Sequence, residues 1–135
     1  MALQYSVAVR NAQLDQLEST IGTAPLLRIY TGTPPADCAT AASGTLLAEM
    51  TLPSDWLAAA SSGSKAKSGT WSDSSANNTG TAGYWRIYDS AGTTCHAQGT
   101  VTATGGGGDL TLDNTSIASA QAVTINTFTI SAGNA

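Results

Sequence analysis

With 135 residues the chain is long enough for one domain with its own core, burying about two thirds of the surface that the unfolded chain exposes. Only 10% of its residues are charged, against about 25% in an average soluble domain, while 41% are hydrophobic, so neutral polar residues carry the solubility. The basic residues Arg10, Arg28, Lys65, Lys67 and Arg86 are scattered and the net charge is -4, which argues against nucleic acid and against an anionic membrane as partners.

The first element is a helix from about Ser6 to Ile21. Val7, Leu14, Leu17 and Ile21 recur at spacings of seven, three and four and line one face, Ser6 can cap the start, and Gly22 can end it. Gln4, Arg10, Asn11, Asp15 and Glu18 interrupt the N-terminal stretch too regularly for a secretion signal, and no run approaches the roughly 18 apolar residues of a membrane span. The expectation is a protein made and folded in the cytoplasm.

After Gly22 the chain reads as strands and turns. Leu26 to Tyr30 is followed by the breaker Gly32-Thr33-Pro34-Pro35. In Leu46 to Leu52, the residues Leu46, Ala48, Met50 and Leu52 share a buried face. Residues 53–64 form either a short helix or an ordered loop anchored by Trp56. Further strands are expected at Lys65 to Ser72, Tyr84 to Tyr88, Thr94 to Thr102, Asp109 to Leu112 and Gln121 to Ile130, with a hairpin connection through the Gly105 to Gly108 run. The last strand changes phase between Val123/Ile125 and Phe128/Ile130, and a β-bulge near Asn126-Thr127 would bring all four to one side. About seven or eight short strands with regular turns describe a mainly β fold, a β-sandwich or jelly roll, as one domain. The helical segment 1–22 packs on or bridges from the β domain at 23–135. Leu27-Arg28-Ile29-Tyr30 also echoes Trp85-Arg86-Ile87-Tyr88, either as equivalent strands of two sheets or by chance.

The residue types that carry chemistry do not assemble into a site. Strand alternation sends Cys95 and His96 to opposite faces, and no metal-ligand spacing surrounds them. The glycine run lacks the following helix and the lysine of a phosphate-binding loop. The aspartates match no calcium loop and suit Asx turns. A glycosidase would need two facing carboxylates, which the sequence does not place. Two cysteines are too few for a disulfide framework, and free buried thiols are expected in preference to a Cys38–Cys95 bridge. No catalytic, cofactor-binding or metal-binding residue is assigned, no cofactor is implied, and no enzyme activity is expected.

The aromatic residues are more informative. Trp85 and Ile87 alternate with Tyr84, Arg86 and Tyr88, so one set is core and the other lines the second face of the sheet. That face is either internal packing or an interface, because Tyr and Arg concentrate where surfaces dock. The candidate interface residues are Val7, Leu14 and Leu17 of the helix together with Trp56, Tyr84, Arg86 and Tyr88.

Three stretches carry a resemblance: Val9-Arg10-Asn11-Ala12 through Ile21-Gly22, Leu27-Arg28-Ile29-Tyr30-Thr31-Gly32-Thr33-Pro34-Pro35, and Trp85-Arg86-Ile87-Tyr88-Asp89-Ser90-Ala91-Gly92-Thr93-Thr94-Cys95-His96 with the glycine run beyond it. In these the chain resembles small structural proteins of tailed bacteriophages, those encoded near the major capsid protein that decorate or cement the head. The resemblance implies a sandwich module that binds the major capsid protein as a dimer or trimer. It also implies assembly in the host bacterial cytoplasm and a final place on the capsid surface of the virion. A tail-tube, tail-terminator or head-completion component of the same virion is the alternative. A carbohydrate-binding module, suggested by Trp56 and Trp71, is the competing reading from another class.

Overall fold

The computed structural model describes residues 3–133; Met1, Ala2, Asn134 and Ala135, which the segments 1–22 and 23–135 take in, lie outside the described residues. The expected helix forms as α1 (Val7–Ile21). Ser6 is extended and its hydroxyl accepts a hydrogen bond from Val9 N at 3.3 Å, which satisfies one of the amides that a helix start leaves without a partner. Gly22 ends the helix at φ 91°, a conformation that costs glycine nothing, and donates to the carbonyl of Glu18 at 2.9 Å.

Among the described residues ten strands follow: β1 (Leu26–Thr31), β2 (Leu46–Thr51), β3 (Ser64–Ala66), β4 (Trp71–Asp73), β5 (Gly80–Tyr88), β6 (Cys95–Ala103), β7 (Leu110–Leu112), β8 (Ser116–Ile117), β9 (Val123–Ile125) and β10 (Thr129–Ser131). The main sheet runs β2-β1-β5-β6-β7, with β8 also pairing with β5, while β3 pairs with β10 and β4 with β9. The fold is thus mainly β with a single N-terminal helix, consistent with a β-sandwich. The two echoing segments are β1 and β5. They are antiparallel neighbours in the centre of one sheet, with Arg28 opposite Arg86 and Ile29 opposite Trp85.

Alternation along these strands sends Leu27, Ile29, Trp85 and Ile87 into the core. There they meet aromatic residues from the second layer. Trp71 lies 6.0 Å from Trp56 and 5.3 Å from Phe128, and Phe128 stands edge-on to Trp85 at 5.3 Å between ring centroids. The stretch 53–64 is an ordered loop and not a helix. Its anchor is the fully buried Trp56, whose Nε1 donates to Gly22 O at 3.0 Å and so ties the loop to the end of α1.

Three expectations change. The segment Lys65 to Ser72 divides into β3 and β4, and Gln121 to Ile130 divides into β9 and β10. Together they make one interrupted ribbon, in which the path from Ala66 to Trp71 is one residue longer than the facing path from Ile125 to Thr129. The extra residue expected near Asn126-Thr127 therefore sits on the other arm, where Gly69 takes φ +72°. Val123, Ile125, Phe128 and Ile130 still all reach the core. The glycine run is also not a hairpin connection, because β7 pairs parallel with β6 (Val101 opposite Leu110). The run folds the chain back along Thr102 so tightly that a Cβ on Gly106 or Gly108 would come within 2.8 and 2.9 Å of that residue.

Candidate functional site

The outward face of the main sheet is polar but not open. Tyr84, Arg86 and Tyr88 project there from β5, and Arg28 and Tyr30 from β1. Arg28 Nε binds Glu49 Oε2 at 2.5 Å, its guanidinium lies 4.5 Å from the centroid of the Tyr88 ring, and Tyr30 stacks on Tyr84 at 5.0 Å and 12°. Burial, together with the neighbouring Tyr88 hydroxyl, pushes the Tyr30 phenol up to about 12.

The connection between β1 and β2, residues 32–45, crosses this face as a strap. A connection of this length without helix or strand is uncommon in a compact domain and needs its own fastenings. Arg86 supplies the central ones: Nη2 donates to the carbonyls of Asp37 at 3.1 Å and Thr40 at 2.7 Å, Nε donates to Gln98 Oε1 at 3.1 Å, and Nη1 to the Tyr88 hydroxyl at 3.4 Å. Gln98 in turn donates to Pro35 O at 2.7 Å. The Tyr84 hydroxyl donates to Ser43 O at 2.5 Å and accepts from Ser43 N at 3.0 Å. Within the strap, Asp37 Oδ1 accepts from the hydroxyl and amide of Thr40. These bonds hold the exposed Asp37 carboxyl below its ordinary range. Burial opposes the charge of Arg86, but the Tyr88 hydroxyl and the fields of Cys95 and the flanking tyrosines outweigh it and raise the guanidinium pKa.

The structure separates the candidate interface residues. Tyr84, Arg86 and Tyr88 are buried at 0, 2 and 7% exposure, covered by the protein's own strap, so the second face is internal packing and not a free docking surface. Trp56 is wholly buried, Leu14 is buried, and Leu17 is half-buried against the core. Val7, 49% exposed, is the one of the seven that remains at the surface. Trp71 is also wholly buried, which removes both exposed platforms on which the sugar-binding reading rested. The two cysteines, expected to be buried, are each half-buried instead, and their sulfurs face each other at 2.9 Å across the strap. Of the residues that hold the strap, Asp37, Thr40, Ser43 and Gln98 carry no interface signal in the sequence; the Asp-x-x-Thr spacing of a local turn is their only trace.

The large apolar residues that stay in water are concentrated near the start of the chain. Among the described residues the exposed large hydrophobic ones, Leu3, Tyr5, Val7 and Val9, all fall within seven consecutive positions that lead into α1 and form its first turn. The rest of α1 is fastened down. Arg10 Nε donates to Ala132 O at 2.6 Å, Asn11 Oδ1 accepts from Gly63 N at 2.9 Å, and the buried Lys65 reaches Asp15 at 2.9 Å and Glu18 at 2.6 Å. The exposed apolar residues thus lie beside and within the first turn of a helix that is fastened further along.

Comparison with family models, with curated proteins and with solved structures returned no match. Among the described residues no three His, Cys, Asp or Glu side chains converge as a metal site would require, and no helix is long and apolar enough to cross a membrane. His96 is half-buried on β6. The loop aspartates are engaged by protein donors: Asp89 Oδ1 accepts from Thr93 N at 2.9 Å, Asp109 Oδ2 from Thr100 N at 3.0 Å, and Asp113 Oδ2 from Asn126 Nδ2 at 3.0 Å.

Proposed function

We propose that this chain is a structural protein of a tailed-phage virion, without chemistry of its own, that binds the major capsid protein and stabilises the shell as a cement protein. The observation that carries the proposal is the exposed apolar segment Leu3 to Val9 on an otherwise neutral polar surface. Large apolar residues gathered in one short stretch of chain beside a docked helix suit a docking element, whereas singly scattered ones need no explanation. The resemblance of the three sequence stretches to phage head proteins supplies the partner. Low charge fits a particle exposed to changing ionic strength, because apolar contacts are screened far less than ion pairs. On this reading the protein acts as a dimer or trimer on the capsid surface after assembly in the bacterial cytoplasm.

Shells lacking the protein, mixed with purified chain and sedimented, test the proposal. Val7 and Val9 each keep nearly half their surface in water, so docking returns roughly 1 kcal/mol apiece, and a carboxylate at either position adds a desolvation cost. The double variant Val7→Asp/Val9→Asp is expected to keep its thermal midpoint and to lose at least about 30-fold in binding. Failure of the unaltered protein to bind, or shells equally heat-stable with and without it, would overturn the proposal. A count of copies per particle separates the shell, with hundreds, from the neck or tail, with a few.

A further inference from the structure

Strap and sheet meet at one pair of side chains whose chemistry the hydrogen bonds do not use up. Cys38 lies in the strap and Cys95 opens β6, 57 positions away in sequence, and the Cys95 thiol points at Cys38 Sγ from 2.9 Å. A disulfide needs its sulfurs at about 2.05 Å, so they stand within about 1 Å of bonding distance. Strap and strand are already placed by bonds on both sides of the pair. Arg86 holds the carbonyls of Asp37 and Thr40, which flank Cys38, and Tyr88 on β5 is the cross-strand partner of Cys95. Both cysteines are only half-buried, which leaves a small oxidant a path to them.

We propose that Cys38 and Cys95 form an oxidisable pair that closes into an intramolecular disulfide and staples the strap to the sheet. The oxidant is a small disulfide such as oxidised glutathione. Cys38, as the thiolate, attacks one sulfur of that disulfide, forming a mixed disulfide and expelling one small thiolate. Cys95 then loses its proton, attacks the Cys38 sulfur and expels the second small thiolate. The protein gives up two electrons and two protons, and the small disulfide becomes two thiols. Burial, and then the neighbouring Cys38 sulfur, push the Cys95 thiol up to about 12, which disfavours it as the first nucleophile and leaves the opening attack to Cys38; capping Cys38 then removes the second of these two causes. With its partner already in contact, Cys95 outcompetes a cysteine from another molecule at any ordinary protein concentration. On the reading of a virion protein, which the pairing itself does not need, the staple stays open in the reducing cytosol and closes after release from the cell.

The test uses the whole purified protein, reduced and then exposed to oxidised glutathione. The expected product is a monomer lighter by two hydrogens, with one cross-linked peptide joining Cys38 to Cys95. Its thermal midpoint should lie about 8–15 °C above that of the reduced protein, because the bond closes a loop of more than fifty residues. Cys38→Ser and Cys95→Ser should each abolish both changes. Covalent dimers or stable glutathione adducts in place of the monomeric product would overturn the proposal, as would two titratable thiols persisting after oxidation. The wild-type mass and peptide map decide the matter even where a serine variant folds poorly. None of these readouts involves a capsid, so the outcome is independent of the docking experiment.

Discussion

Replacing Arg86 by methionine removes the fastening of the strap while nearly preserving volume. Two strap carbonyls, those of Asp37 and Thr40, lose hydrogen bonds from a charged donor, worth about 1.5–3 kcal/mol each, and the bond to Gln98 Oε1 adds a similar or smaller loss. Against this, the fold no longer desolvates a guanidinium, and the methionine side chain returns about 1–2 kcal/mol of apolar burial. A buried ion can be exchanged for an apolar residue at little cost when its partners are exchanged too. Here the partners are main-chain carbonyls, which no side-chain substitution removes. The loss therefore prevails, limited by the ability of a lifted strap to hydrate its carbonyls, and the net destabilisation is about 2–4 kcal/mol. Arg86→Lys keeps the charge but not the planar fork that spans two carbonyls, and is expected to lose about half as much. Urea denaturation measures the free energies, and amide hydrogen exchange locates them. Protection at Ser43, whose amide donates to the Tyr84 hydroxyl, should fall far more than protection at Ile29 in the centre of the sheet. Equal stability of the Arg86→Met protein, within about 0.5 kcal/mol, with unchanged protection at Ser43, would refute the reasoning.

Gly83→Ala should be the most damaging single-methyl change. The added carbon would lie 1.9 Å from the Gly32 carbonyl oxygen, main chain that cannot step aside, so a loss of about 3 kcal/mol or more in a denaturation curve is expected. Lys65→Met should loosen α1 selectively, by about 1–2 kcal/mol, because the exposed Asp15 recovers water while the less exposed Glu18 does not. Amide exchange within α1 is the readout, and a double-mutant cycle with Glu18→Gln isolates the pair. Tyr30 sets an alkaline limit. Its phenol titrates near 12 when folded and near 10 when unfolded, so its contribution is complete below about pH 10 and is lost as pH rises through 12. Phenolate absorbance should show this late ionisation and lose it in Tyr30→Phe.

The helix, its caps and the two central strands were legible because each rests on local chemistry: apolar spacing, a hydroxyl before the helix, a glycine after it, and β-branched and aromatic alternation. The breaks were harder to see. Gly69 splits one strand by adopting φ +72°, and the glycine run returns the chain parallel to β6, yet in both places the composition is that of any turn. The outward face is polar as expected, and internal packing is one of the two readings its composition allows, but nothing local names the loop that covers it. Tyr84, Arg86 and Tyr88 have the composition of a docking surface, and a protein's own loop covers such a face by the same physics as a partner would. The strap was invisible for a more particular reason. It is gripped mainly through the carbonyls of Pro35, Asp37, Thr40 and Ser43, and a carbonyl is the same at every position of every sequence. The information for its placement therefore lies in the side chains that reach for it, Tyr84, Arg86 and Gln98. Apart from Gly32 and Gly44, which take φ of +88° and +78°, substitutions along the exposed strap should be tolerated where the same change on β5 or β6 is not. The strap side chains that escape this rule are those with partners of their own, Asp37 with Thr40 and Cys38 with Cys95.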